Sequence, residues 1–539
     1  MEKTVSTGLS VEDLSSLIGV NPDRIVSMSI HGSPPPSLGA TLNYLKLLVV
    51  LRGKDVKMRM VNRRVKDLRV STTIVEESLF RRDCLDEELG GATSHLLLIP
   101  YNPLIGEDYL KTMELNYFRH IITESLRNLV LDYRLSSILI VFTSKYILYD
   151  KLKRISMIYP PSRAHIRYLT DEGIESISKK LEKVLDSLVY EGLLDRHGSG
   201  YSPSRKLVEN ILTGKTFIKT AEELEHIFRL YVSTKHNILL DFIKNVNINL
   251  STLTNLKIPD VEDYLYTKTR LGLQPLSTRL TIEDFVKNLI GVDDDNVMVK
   301  RFGGILNATY TAEFLKDGRA EKIFIKKYLN WSDFKWVAAW LWALGVKNFS
   351  VLASTRMSNE IFFINKLAEL GFNTAEVLHI NWKRKMLFQK FIEGENTIQF
   401  IKSLGLDRVG EVAVRLGKLI AELHQNDITM GDCNPFSFLF TRDGEIYLTD
   451  LEQCSLKGLK PWDITELIFY TTHYLPDSRV EEFAYMLSRG YLENGGQIED
   501  LRESTEQKYT RLLTPLTPIW VQSKAVKGII RAISEKRSR

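Results

Sequence analysis

Two aspartates in the last quarter of the chain, Asp432 and Asp450, carry its clearest chemical pattern. Asp432 follows the apolar run Ile428-Thr-Met-Gly431. Asp450 follows Ile446-Tyr-Leu-Thr449, with Arg442-Asp443-Gly444 making a hairpin turn before it. Two carboxylates in this arrangement suit phosphoryl transfer. Asp432 would orient the acceptor hydroxyl and receive its proton, while Asp450 would hold Mg²⁺ against the phosphates of a nucleotide. The plainer reading makes both of them turn residues, because Gly-Asp and Asp-Gly are common turn dipeptides.

Other pieces fall upstream in the order that such chemistry requires. Lys322-Ile-Phe-Ile-Lys326 is a strand carrying a lysine suited to gripping α- and β-phosphates. Arg356-Met-Ser-Asn-Glu360 opens a predicted helix, 361–370, whose glutamate would hold that lysine in place. Residues 386–394 read as a strand running into a linker, with Lys390 and Ile392, whose backbone suits an adenine ring. Lys460-Pro-Trp-Asp463 fits a buried aspartate at a helix start, bracing the loop of Asp432. Each piece alone is most simply structural. The ordered set is what argues for a site.

These residues resemble the RIO-like and aminoglycoside-phosphotransferase-like branch of the protein-kinase-like fold over roughly residues 290–500. Lys326, Glu360, Phe391-Ile-Glu-Gly394, Gly431-Asp432, Asp450-Leu-Glu452 and Trp462-Asp463 carry the resemblance. The Gly-Asp…Asp-Leu-Glu-Gln signature and the tryptophan-rich stretch 331–342 are similar to an archaeal family related to the small RIO-type kinases. The resemblance implies a two-lobed fold, ATP and Mg²⁺. It makes Asp432, Lys326 and Glu360 the catalytic set, Asp450 the metal ligand, and Gly303 and Gly304 part of the loop cradling phosphate. The sequence also departs from the family. Met430 replaces the histidine usual before Gly-Asp, and Ser437 stands where a metal-binding asparagine is expected, with Asn434 nearby as a second candidate. Ile305 and Ala308 replace the later glycines of the nucleotide loop, and Ile305 would restrict close approach of phosphate. An inert or merely nucleotide-binding pseudokinase therefore stands beside the kinase reading, and a small-molecule kinase would share every residue named. Trp336 and Trp340 share a helix face, read as packing, with a partner-anchoring role as the alternative.

At the other end, His31-Gly32-Ser33 followed by Tyr44-Leu-Lys46 resembles the polymerase-β-type nucleotidyltransferase pattern over roughly residues 20–165, as do Pro100-Tyr-Asn-Pro-Leu-Ile-Gly106 and Tyr159-Pro-Pro161. The resemblance implies two metal-binding carboxylates where Tyr44 and Lys46 stand. A lysine ammonium repels Mg²⁺, and Asp67 is the one near candidate for a further carboxylate, so nucleotidyl transfer is not expected and the domain reads as a degenerate scaffold.

The elements that must position all this are numerous. The 539 residues suffice for about three domains. The expected fold class is α+β multidomain: a degenerate nucleotidyltransferase-like mixed sheet over 1–135, a helical connector over 136–255, and a kinase-like domain over 256–539. In the connector an amphipathic helix runs into a hairpin near 181–208. That is either a winged-helix module or a plain helix and hairpin, with Arg163, Arg196 and Lys206 read as solvated. Apolar residues at 44 % and charged residues at 26 % exclude wholesale disorder. The excess of 72 Lys and Arg over 67 Asp and Glu is too small to name a nucleic-acid or membrane partner. Three cysteines without metal-type spacing, no secretory leader and no long apolar run lead to the expectation of a cytoplasmic protein without membrane spans. A protein substrate or partner is expected. The basic amphipathic end, 523–539, is read as packing on the preceding lobe, with RNA or ribosome contact as its alternative. Oligomeric state is left open.

Overall fold

The computed structural model describes residues 10–32, 44–53, 58–65, 68–166, 169–213, 258–291, 297–301, 307–316, 318–329, 350 and 352–538. Gly303, Gly304 and Ile305, the four tryptophans of 331–342, Ser33 and Asp67 lie outside the described residues. The chain divides into two compact units. One comprises Met1–Asp132 and Ser137–Thr267, the other Tyr133–Ser136 and Lys268–Arg539.

In the first unit, β1 (Ile25–His31), β2 (Tyr44–Leu51), β3 (Met58–Val65), β4 (Leu68–Glu76) and β5 (Tyr101–Ile105) form a mixed sheet in the order β3-β4-β2-β1-β5. β2 and β4 run parallel, and the remaining neighbours are antiparallel. Alternation along the strands sends Met28, Leu45, Leu47, Val49, Val70 and Ile74 to one face, where Leu14 and Ile18 of the helix Val11–Ile18 cover them. The same period of two turns Lys46 to the opposite face. Gly106, with φ +68°, ends β5. A Cβ there would lie 2.2 Å from the Val26 carbonyl, so the close approach to β1 requires glycine.

Further along this unit come β6 (Ile140–Phe142), the helices Ser144–Ile158 and Asp171–Tyr190, and a hairpin of β7 (Leu194–His197) and β8 (Gly200–Pro203), with β8 between β6 and β7. The amphipathic helix followed by a hairpin is as read from the sequence. Arg196, on the hairpin, is paired at the surface with Asp186 at 2.8 Å.

β9 (Leu265–Thr269) leads to β10 (Gly272–Pro275), where the second unit has begun. Its main sheet contains β11 (Met298–Arg301), β12 (Asn307–Lys316), β13 (Arg319–Tyr328), β15 (Val377–Asn381) and β16 (Met386–Lys390), in the order β11-β12-β13-β16-β15 and antiparallel throughout. Ile323 and Ile325 face a core built around Phe285, Val286 and Phe388. Lys326 and Tyr328 therefore alternate to the other face. There they meet the helix Ala353–Glu369, which starts earlier than the expected 361 and so contains both Arg356 and Glu360, one turn apart on one face.

Short strands follow: β14 (Asn373–Thr374), β17 (Glu395–Asn396), β18 (Ile428–Thr429), β19 (Phe438–Phe440), β20 (Ile446–Leu448) and β21 (Ser455–Leu456). They form the sheet β14-β20-β19-β17 and the pair β18-β21. The helices Val409–Gln425 and Asp477–Glu493 touch backbone to backbone, because a Cβ at Gly417 would lie 2.1 Å from the Leu487 carbonyl. The C-terminal helix Ile519–Ser538 buries Ala525, Ile529 and Ile533 but leaves Ile530 exposed. Of the four apolar positions that suggest packing of the basic end, Ile529 and Ile533 are buried, Val526 is half-buried and Ile530 is off that face. Among the described residues, no helix is long and apolar enough to cross a membrane.

Candidate functional site

β13 and the helix Ala353–Glu369 bring Lys326 and Glu360 together, with the ammonium 2.7 Å from Glu360 Oε2. Lys326 Nζ also donates to Asp450 Oδ1 at 2.5 Å and lies 3.1 Å from Glu452 Oε2. Residues separated by 34 and 124 positions along the chain thus converge on one amine. The Tyr328 hydroxyl donates to the same Glu360 oxygen at 2.5 Å, which fixes the carboxylate from a second side. Burial alone would push the Lys326 ammonium down, but Asp450, Glu360 and Glu452 outweigh it and hold the group well above its ordinary range. Glu360 is raised, because burial outweighs the attraction of Lys326.

Asp450 sits between β20 and a short 3₁₀ turn with φ 56° and ψ 49°, a left-handed conformation that aspartate tolerates better than most residues. Its side chain is 43 % exposed whereas those of Lys326, Glu360 and Glu452 are about a tenth of that. Asp450 is therefore the one carboxylate of the trio that solvent reaches. Glu360, Asp450 and Glu452 are close enough to share a cation, and the cation that occupies their centre is the Lys326 ammonium.

Glu452 and Arg356 were not among the sequence-derived site residues, yet they brace the cluster from behind. Arg356 is fully buried. It donates to Asn307 Oδ1 at 2.7 Å, to Glu452 Oε1 at 3.2 Å and to the Leu329 carbonyl at 2.6 Å. Asn307 in turn donates to Glu452 Oε2 at 2.9 Å, and Asn359 donates to the Glu452 carbonyl at 3.2 Å. A buried arginine one turn before Glu360 was the available signal, but an arginine in a helix's first turns reads as solvated until its acid is found.

Asp432 is half-buried on the loop after β18, and side chains of the helix Lys460–Thr472 hold the backbone of that loop. Asp463 accepts from Met430 N at 2.6 Å and Gly431 N at 2.8 Å, as a brace should, and its second neighbour is His424 at 3.3 Å. Glu466, unforeseen, accepts from Cys433 N at 2.7 Å, and the Trp462 indole donates to the Gly431 carbonyl at 3.1 Å. Met430 is fully buried, so the position of the absent histidine serves as core.

Asn434 donates to Asp432 Oδ1 at 2.8 Å while its own oxygen accepts from Phe436 N, and Ser437 Oγ donates to the Asp432 carbonyl at 3.1 Å. Both shape the Asp432 loop in this structure. Lys390 ends β16 with an exposed amine 3.8 Å from Glu376, and Ile392 is half-buried in the 391–394 segment. Gly394 approaches the Phe440 carbonyl, to which a Cβ would come within 3.0 Å.

No protein-family model matches the chain. The KEOPS complex subunit Bud32 of Pyrococcus abyssi is 26 % identical to it over 114 residues, which is 21 % of this chain and 49 % of that protein. The chain thus spans about half the length of the curated relative it matches. This partial, distant similarity supports a kinase-like relationship for part of the chain.

Proposed function

We propose that the second unit is an ATP-dependent phosphotransferase, an atypical RIO-like serine/threonine protein kinase. Its main sheet and the helix Ala353–Glu369 would be one lobe, and the helices from Val409 onward the other. The observation that carries this reading is the meeting of Lys326, Glu360 and Asp450 at 2.5–2.7 Å from distant parts of the chain. A purely structural lysine has no need of a half-exposed third partner in left-handed backbone.

In this reading Glu360 and Tyr328 hold the Lys326 ammonium where it meets the α- and β-phosphates. Asp432, pinned by Asp463 through two backbone amides, orients the acceptor hydroxyl. The hydroxyl oxygen bonds to the γ-phosphorus as the bond to the β–γ bridging oxygen breaks, ADP leaves, and the hydroxyl proton passes to Asp432. Among the residues expected to bind metal, Asp450 fits Mg²⁺ best, since the Asn434 oxygen is engaged by Phe436 N. Bound there, the ion would neutralise charge on the phosphates. The acceptor is proposed to be a protein partner, and ATP to enter between the lobes near 391–394.

A second reading has its own observation. Lys326 is already surrounded by three carboxylates, and Ser437 replaces a ligand asparagine, as in a pseudokinase whose cleft has become structural. Incubation with labelled ATP and Mg²⁺ tests the first reading through phosphate gained by protein, and phosphate gained by a soluble metabolite would instead make the protein a small-molecule kinase. Asp450→Ala should lose transfer by at least 100-fold, and unchanged transfer in that variant discards the assignment. Without transfer, a rise in melting temperature with ATP that requires Mg²⁺ would leave a nucleotide-binding pseudokinase.

A further inference from the structure

The first unit holds a second polar cluster, independent of the cleft just described. Lys46 is 3 % exposed and its amine has no hydrogen-bond partner among the described residues. It lies on β2 directly opposite His31 of β1 and Ser71 of β4, so three adjacent strands present a lysine flanked by an imidazole and a hydroxyl on one face. Two further imidazoles lie close enough for the Lys46 charge to act on them. His95 comes from the 3₁₀ helix Ser94–Leu98 and His165 from the helix Ser162–Ile166, and the two rings lie nearly parallel with centroids 5.2 Å apart. His31, His95 and His165 are 5 %, 1 % and 6 % exposed.

The hydrogen bonds define the protons. His31 Nδ1 faces the Leu96 carbonyl at 2.9 Å and must donate, so its Nε2 accepts from the Ser29 hydroxyl at 2.8 Å. His95 Nδ1 must likewise donate to the Gly91 carbonyl at 2.9 Å, so its Nε2 accepts from His165 Nδ1 at 2.9 Å. That relay is neutral and ends at His165 Nε2, and burial, with the Lys46 charge, holds the His165 imidazole well below its ordinary range. Among the described residues no acid compensates Lys46. Burial alone acts on its amine, pushing it down to about 7, and Asp83, the acid that acts on His95, already accepts five hydrogen bonds from Leu89, Gly91, Thr93 and Ser94. The neighbouring segment 33–43 contains no Asp or Glu in its sequence. A buried amine with no hydrogen-bond partner and no counter-charge is the complement of an anion.

We propose that Lys46 and His165, the latter positioned by His95, form a binding site for a small oxyanion, a phosphate or carboxylate group. Lys46 supplies the charge, and His165 supplies the second donor when the bound anion, offsetting burial and the Lys46 charge, draws a proton onto Nε2. The ligand's sign is then opposite to that of the metal ion that the motif's resemblance would place there.

The test follows thermal unfolding of the full chain with inorganic phosphate or acetate, against chloride at matched ionic strength. The background is Lys326→Met, so that the second unit's amine does not contribute. The transition of the first unit should rise by several degrees for each tenfold increase in phosphate or acetate beyond saturation. The anion that acts at lower concentration identifies the class. Adding Lys46→Met should abolish the rise and, without anion, give a higher melting temperature than the parent. His165→Asn, which leaves Lys46 in place, should weaken the apparent affinity at least tenfold. No rise with either anion overturns the proposal. So does an equal rise in the Lys46→Met protein, which would mark a general ion effect. Should Lys46→Met not fold, an undiminished response in His165→Asn overturns it.

Discussion

The buried charges around Lys326 make a sharp prediction for Glu452→Ala. Glu452 touches Arg356 at 3.2 Å, Asn307 at 2.9 Å and Lys326 at 3.1 Å, and its side chain is 4 % exposed. Removing it leaves Lys326 still paired with Glu360 and Asp450, but takes from the wholly buried Arg356 the carboxylate at 3.2 Å. Breaking a buried pair from one side costs about 3–5 kcal/mol, because the surviving charge stays desolvated. At roughly 3 kcal/mol per molar urea, the midpoint should fall by about 1–1.7 M. The double variant Glu452→Ala/Arg356→Met should recover more than half of that loss, since it removes the stranded charge as well. The assay is built into the chain: all seven tryptophans lie between Trp331 and Trp520, so intrinsic fluorescence reports the second unit alone. A loss under about 1 kcal/mol, or a double variant as unstable as the sum of the two single ones, would refute the view that Glu452 exists to neutralise Arg356.

Lys46 makes the anion-free protein depend on pH. Its folded-state value near 7 lies below the ordinary 10.5, so between these values the unfolded chain binds more protons and stability should rise with pH, by up to about 1.4 kcal/mol per unit. Urea unfolding followed by circular dichroism at pH 7 and 9.5 checks this, and Lys46→Met should flatten the difference. Asp463→Asn weakens two charge-assisted bonds to the Met430 and Gly431 amides and should destabilise the second unit by about 1.5–3 kcal/mol, read by tryptophan fluorescence. Its phosphate transfer should fall with Asp432's placement, through kcat more than KM. Gly417→Ala inserts a methyl against the Leu487 carbonyl and should cost about 1–3 kcal/mol in the same assay, whereas Gly444→Ala would meet no atom within 4 Å and be limited to its own backbone strain at φ +89°.

The sequence by itself determined the local elements. An apolar run placed β13 to within a few residues, and helical spacing placed the amphipathic helix that ends at Tyr190 before its hairpin, because burial on one face imposes a period of 2 or 3.6 whatever the partner is. It also singled out Lys326, Glu360, Asp450 and Asp463, since a charged residue at the end of an apolar run or at a helix start has few purposes. Tertiary structure alone decided which acid meets which base. Glu452 and Arg356 are 96 positions apart, and electrostatic pairing in a dry interior depends on distance in space, to which spacing along the chain gives no guide. The same holds for Lys46: the sequence marked it as a lysine standing where a carboxylate was expected, but only packing brought three imidazoles within reach of its charge and left it without an acid among the described residues.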